Sequence, residues 1–98
     1  MATNKEYKDY ILEQLSLIGP IQTRAMMGEY LLYYQGVYFG GIFDDRLLVK
    51  IVPQNKKYEM KEELPYDGAK AMYFVGEIED KEKLKEIVLD TYLGLLKK

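Results

Sequence analysis

Apolar residues recur every three or four positions at the start of the chain. Tyr7, Tyr10, Ile11, Leu15 and Ile18 form one stripe, the mark of an amphipathic helix. Thr3 and Glu6 have the spacing of a capping box, in which hydroxyl and carboxylate each satisfy a free amide. Gly19-Pro20 ends the stripe, because proline disfavours helical backbone in the residue before it. The pattern predicts a first helix over residues 4–18. Between residues 22 and 52 the period changes from helical to extended. "EYLLYYQ", "VYFGGIF" and "RLLVKIV" are rich in β-branched and aromatic residues. Turn residues punctuate them at Gly28, Gln35-Gly36 and Asp44-Asp45. Strands are expected near 22–27, 29–35, 37–43 and 46–52. Connections this short require antiparallel neighbours, since parallel strands need a crossover of about a dozen residues.

Pro53 closes the fourth strand, having no amide to donate. Asn55 can cap a short helix over "KKYEMKEE", which Leu64-Pro65 ends. Lys70–Gly76, "KAMYFVG", is the fifth expected strand. Asp80 can cap a final helix lined by Leu84, Ile87, Val88, Thr91, Tyr92 and Leu95, with Lys97 and Lys98 at the negative pole of its dipole. The order is α-β-β-β-β-α-β-α. The expected fold is α+β: one domain over residues 1–98, a two-layer sandwich with a mainly antiparallel five-stranded sheet and helices on one face.

One feature of the sheet does not fit a single covered face. "RLLVKIV" alternates, with Leu47, Val49 and Ile51 opposite Arg46, Leu48 and Lys50. "EYLLYYQ" places Tyr30, Leu32 and Tyr34 opposite Leu31, Tyr33 and Gln35. "VYFGGIF" places Val37, Phe39 and Phe43 opposite Tyr38 and Ile42. Apolar side chains thus point both ways, while the terminal helices cover one side. Three readings stay open. Tyrosine tolerates partial exposure, with the short middle helix folding over that side as a further cover; the second face receives a partner, most simply a second copy; or its tyrosines stack nucleotide bases beside lysine. The candidate interaction surface comprises Arg24, Tyr30, Tyr33, Tyr34, Tyr38, Lys50 and Tyr73. The plainer alternative for Arg24 is a stem packed at the sheet edge with its head paired to Glu29 or another surface carboxylate. Met26 and Met27 are expected to fill core gaps. Gly40-Gly41 points to a bulge or a close backbone approach, and Asp44-Asp45 to a turn rather than a metal pair.

Composition narrows the chemistry. The 98 residues contain no histidine and no cysteine. That removes Ser-His-Asp and Cys-His nucleophile systems, the usual zinc ligands and any disulfide framework. No catalytic, cofactor-binding or metal-ligating residues are assigned, and no enzyme activity is expected. Fourteen basic and 16 acidic residues leave a net charge of −2. Nucleic-acid binding draws on phosphate neutralisation, so it would need a local patch, with Lys50, Lys56, Lys57 and Lys70 as the candidates. The N-terminus lacks the order of a signal peptide and no apolar run suits a membrane span. The expected location is the cytoplasm, with no membrane association.

The order of motifs resembles the TfoX N-terminal domain family nearly end to end. Arg24, Met26-Met27-Gly28, Tyr30, Gln35-Gly36, Phe39-Gly40, Asp45, Leu47 and Lys50 follow the family's succession. Pro65-Tyr66 and Met72-Tyr73 continue it. Met27 stands where the family often has phenylalanine, Glu29 where it often has glycine, and Arg46 where glycine is frequent. The resemblance implies a two-layer domain with an antiparallel sheet. It also implies a link to regulation of natural competence, where longer relatives act as transcriptional co-regulators with a second, C-terminal domain; this chain would be a standalone N-terminal domain. It carries over no catalytic residues. The functional expectation is a non-enzymatic interaction module acting through a protein partner or as a homodimer. Direct nucleic-acid binding and a small-ligand site built on Arg24, Lys50 and nearby tyrosines are the alternatives.

Overall fold

The computed structural model describes residues 3–97, so Lys98 lies outside the described residues. Helix α1 runs Lys5–Gln14. Asn4, not Thr3, caps it: the Asn4 side-chain oxygen accepts the Glu6 N–H at 2.7 Å. Thr3 is buried instead, and its hydroxyl donates to the Glu29 carboxylate at 2.6 Å. The expected helix over 4–18 ends early, and residues 15–18 form turns. Leu15 and Ile18 still reach the core.

Four strands follow where the alternation placed them: β1 Gln22–Met26, β2 Glu29–Tyr34, β3 Val37–Ile42 and β4 Leu47–Val49. The three turns that join them are two-residue turns with left-handed backbone at both positions. Their φ angles are 50° and 86° at Met27-Gly28, 51° and 78° at Gln35-Gly36, and 51° and 56° at Asp44-Asp45. Such turns twist in the same sense as the strands they connect. In the last one, Phe43 and Arg46 exchange both backbone hydrogen bonds, at 2.9 and 3.0 Å. Its free amides are also met: Asp44 N–H reaches Glu29 at 3.1 Å and Asp45 N–H reaches the Thr3 hydroxyl at 3.3 Å. The N-terminus, the β1–β2 turn and the β3–β4 turn are thereby joined in one polar network.

The sheet has six strands, not five. Residues 53–58 form a 3₁₀ helix, Pro53–Tyr58, which stops at Glu59 with a φ of 53°. The chain then extends as β5, Lys61–Glu63, and pairs antiparallel with β6, Met72–Phe74. The lysines and glutamates of "KKYEMKEE" favour helix by only a few tenths of a kcal/mol each. Pairing with the open side of β6 outweighs that preference. The strand order is β1-β2-β3-β4-β6-β5, antiparallel throughout.

A second correction concerns β3. Its register with β2 runs Leu32↔Gly40 and then Tyr33↔Tyr38, leaving Phe39 as an extra residue. This bulge reverses the alternation beyond it. Ile42 therefore joins Phe39 in the main core, and Phe43 turns to the other face. Gly40 sits in the bulge because β4 crosses close behind it: a Cβ there would run into the Leu48 carbonyl oxygen.

The main core gathers Ile11 and Leu15 of α1, Leu84, Ile87 and Val88 of helix α2 (Lys81–Leu96), and Leu32, Phe39, Ile42, Leu47, Val49 and Tyr73 of the sheet. Asp80 caps α2, accepting the Lys83 N–H at 3.1 Å. Asn55 fixes the 3₁₀ helix against α2 from a fully buried position. It is not an N-cap. Its amide donates to Thr91 Oγ1 and the Lys50 carbonyl, both at 2.8 Å, while its oxygen accepts the Val52 N–H at 3.2 Å. Among the described residues no helix is long and apolar enough to cross a membrane.

Candidate functional site

Strand alternation and the registers define a second face on the sheet. It carries Arg24 and Met26 of β1, Leu31 and Tyr33 of β2, Tyr38 of β3, Phe43, Leu48 and Lys50, and Met72 and Phe74 of β6. Phe43, Leu48 and Met72 form a small satellite core there, flanked by Leu31 and Phe74. Part of this face is covered by the chain itself. The loop 64–71 brings buried Pro65 over it, with the Tyr66 ring 6.3 Å from that of Phe43. Arg46 holds the loop in place. Its guanidinium donates to the Phe43 carbonyl at 3.1 Å, the Glu63 carboxylate at 2.8 Å and the Pro65 carbonyl at 3.3 Å. The departure from glycine at position 46 thus has a structural use.

Between this loop and the first three strands lies an open groove of about 560 Å³. Met26, Leu31, Phe43 and Met72 give it apolar walls, and Tyr66 stands at its rim, 56% exposed. Lys50 and Lys70 are its charged lining residues. The Lys50 ammonium lies 4.3 Å from the centre of the Tyr38 ring, which in turn tilts against Tyr33 at 5.6 Å. Burial raises the Tyr38 hydroxyl pKa, with Tyr66 and then Tyr33 adding to the effect. The phenol therefore stays protonated and able to donate at neutral pH. No cluster of three or more acidic residues placed to hold a metal ion occurs among the described residues.

The seven predicted surface residues divide between the two faces. Arg24, Tyr33, Tyr38 and Lys50 share the groove face. Tyr30, Tyr34 and Tyr73 lie on the core face. Tyr73 is only 8% exposed. Tyr34 meets Tyr92 edge-on at 4.9 Å, and Tyr30 lies beneath the Lys8 ammonium at 4.9 Å. The Arg24–Glu29 pair does not form, because Glu29 is engaged by Thr3 and Asp44. Of the four lysines considered for a basic patch, Lys50 and Lys70 line the groove, while Lys57 pairs with Asp90 at 3.1 Å.

The methionines differ most from expectation. Met26 is 36% exposed and Met27 is 96% exposed. Met27 is the first residue of a left-handed turn, so its side chain projects beyond the end of the sheet rather than into the core. Strand β1 is exposed at all five positions and forms one edge of the sheet. The groove residues Pro65, Tyr66 and Met72 were not among the predicted site residues, and Lys70 was named only as a candidate for the basic patch. Pro65-Tyr66 and Met72 stood out only as motif positions, and nothing local in the sequence shows that loop 64–71 folds across β3.

No curated protein matches the chain. A family model does: the bulged β3 around Phe39-Gly40, the Lys50 position and the Pro65-Tyr66 loop all fall within the match of the TfoX N-terminal domain to residues 13–92, and the chain belongs to that family.

Proposed function

We propose that this chain is a non-enzymatic interaction module related to regulation of competence or transcription, acting through a protein partner or a second copy that adds to the β1 edge. The observation that carries this reading is β1 itself. It is an edge strand exposed along its whole length, and it leads into a fully exposed methionine held at a φ of 50°. Edge strands offer unpaired backbone donors and acceptors, and partner strands bind proteins by extending such edges. The opposite edge, β5, reads Lys61-Glu62-Glu63, and charges of that kind deter pairing. Strand β1 carries one charge, Arg24. A methionine in left-handed backbone costs roughly 1 kcal/mol, so the position favours presentation of an apolar side chain over stability.

Family membership supports the regulatory part of the reading. Nucleic-acid binding has less support, since Lys57 is already paired with Asp90 and the chain carries a net charge of −2. The test is light scattering after size exclusion, at high micromolar concentration, with chemical cross-linking in extract from the source cell. The wild-type chain is expected to self-associate or to cross-link to a defined partner. The Met26→Asp/Met27→Asp double variant, altered only at exposed positions, is expected to lose that association. A monomeric chain that cross-links to nothing would overturn the proposal, as would a variant that associates as well as wild type.

A further inference from the structure

We infer that the partner at β1 is a second copy of this chain, whose own β1 pairs antiparallel with it about a two-fold axis through Thr23 and joins the two sheets into one. The inference rests on the reading of β1 as the contact edge and names what meets it there. The backbone fixes which groups are on offer. A two-residue turn is closed by a pair that exchanges both hydrogen bonds, as Phe43 and Arg46 do around Asp44-Asp45. Around Met27-Gly28 that pair is Met26 and Glu29, and such pairs alternate along an antiparallel ladder. Met26, Arg24 and Gln22 therefore direct their backbone groups to β2. Thr23 and Ala25, with Ile21 just ahead of the strand, turn theirs outward, where the sheet ends. All five strand positions are exposed, so neither helix occupies the place of an added strand.

An antiparallel partner must set outward residue against outward residue, and a two-fold contact must be self-complementary. Together these leave one register. An axis through Arg24 sets Arg24 opposite its twin, and like charges directly opposite destabilise a sheet. An axis through Ala25 sets Thr23 opposite Met27, which is held in the turn at a φ of 50° and cannot continue the ladder. An axis through Gln22 sets Ala25 opposite Gly19, whose φ of 118° is not that of a strand. The axis through Thr23 avoids these faults and pairs Thr23 with Thr23 and Ile21 with Ala25, using every outward residue. On the side that β1 shares with Leu32 and the main core, a threonine pair lies between two contacts of isoleucine with alanine, large against small. On the other side Arg24 meets Gln22, whose side-chain carbonyl can accept from the guanidinium. Met26 meets Pro20, whose missing amide lies on the side away from the new strand.

The chain has no cysteine, so single introduced cysteines report the register directly. A hydrogen-bonded antiparallel pair holds its Cα atoms about 5.5 Å apart, within the span of a disulfide. Under mild oxidation, Thr23→Cys is expected to form a disulfide dimer roughly tenfold faster than Lys85→Cys, an exposed position on α2, because a thiol held opposite its twin reacts at an effective concentration of about a millimolar. Gln22→Cys mixed with Arg24→Cys should give the mixed dimer in preference to either symmetric one. Fastest coupling at Arg24→Cys or Ala25→Cys alone would overturn the inference, and so would equal rates at every position. Amide hydrogen exchange on the wild-type chain is independent of any substitution. As protein concentration rises, protection should grow at Ile21, Thr23 and Ala25 and stay level at Gln22 and Arg24. Self-association that leaves the outward amides unprotected would overturn the inference, as would a monomeric chain. In a monomeric chain, a cross-link to another protein that Met26→Asp/Met27→Asp abolishes would keep β1 as the contact edge, whereas no cross-link would remove both readings.

Discussion

Asn55 shows what one side chain can do in a small domain. It is fully buried and its amide meets three groups, the Val52 N–H, the Lys50 carbonyl and the Thr91 hydroxyl. Asn55 belongs to the 3₁₀ helix, and these groups come from the segment between β4 and that helix and from α2. A buried polar group left without its partner costs about 1–3 kcal/mol. Asn55→Ala strands more than one such group, although water entering the space would satisfy some of them. The expected loss is roughly 2–4 kcal/mol in urea unfolding, a large fraction of a domain's total stability. A loss below about 0.5 kcal/mol would mean that these bonds do not hold the 3₁₀ helix to α2. The sequence marked Asn55 as a polar residue just before "KKYEMKEE", which fits a helix cap. Its role as a buried bridge depends on Thr91, 36 positions away, and no local pattern announces a contact at that separation.

At the scale of elements, the β1–β2 hairpin sets local preference against exposure. Its turn needs left-handed backbone at both central residues, and glycine or asparagine adopts that most readily. Position 27 holds methionine, 96% exposed. Met27→Asn is therefore expected to raise stability by roughly 0.5–1 kcal/mol while keeping the hairpin register. Thermal unfolding with circular dichroism reads the gain, and a lower melting temperature would show that the methionine makes a contact worth more than its backbone strain. The three turns were legible because each is a two-residue unit whose requirement is local. Strand β5 was not legible. Lysine and glutamate are good helix formers, and only the presence of β6 makes an extended conformation preferable. The reversal of faces in β3 has the same origin. Gly40-Gly41 pointed to a bulge, but which residue is left over depends on how β2 and β4 are aligned against it.

Across the whole molecule, close approach between elements decides what each position tolerates. Gly94 of α2 packs on the start of the 3₁₀ helix: a Cβ there would stand 2.5 Å from Gln54 Oε1 and 2.6 Å from Val52 Cγ2. Helix propensity alone predicts that Gly94→Ala stabilises by about 1 kcal/mol. The packing predicts the opposite, a loss of roughly 1–3 kcal/mol from overpacking. The two predictions differ in sign, so a single denaturation curve separates them. A stabilised variant would mean that Val52 and Gln54 move aside at little cost. The same region contains the Tyr58 hydroxyl bond to Asp90, at 2.5 Å, so α2 is held to the 3₁₀ helix at several points along its length.

The sequence by itself determined the helices at the two ends, five of the six strands, the three turns and the absence of histidine and cysteine chemistry. These follow from periodicities and backbone preferences that act within a few residues, or from composition alone. It also showed that the middle strands are apolar on both sides, and there its information about the candidate site stopped. Tertiary structure decided which face of each strand belongs to the core, because α1 and α2 pack against one side only, and it set Ile42 and Phe43 on opposite sides from those expected, because one extra residue in β3 reverses the alternation after it. It decided that loop 64–71, tied down by Arg46, covers part of that face and leaves a groove beside it. Side-chain alternation is a property of one strand, whereas a groove exists only where segments distant in the chain meet without closing the gap between them.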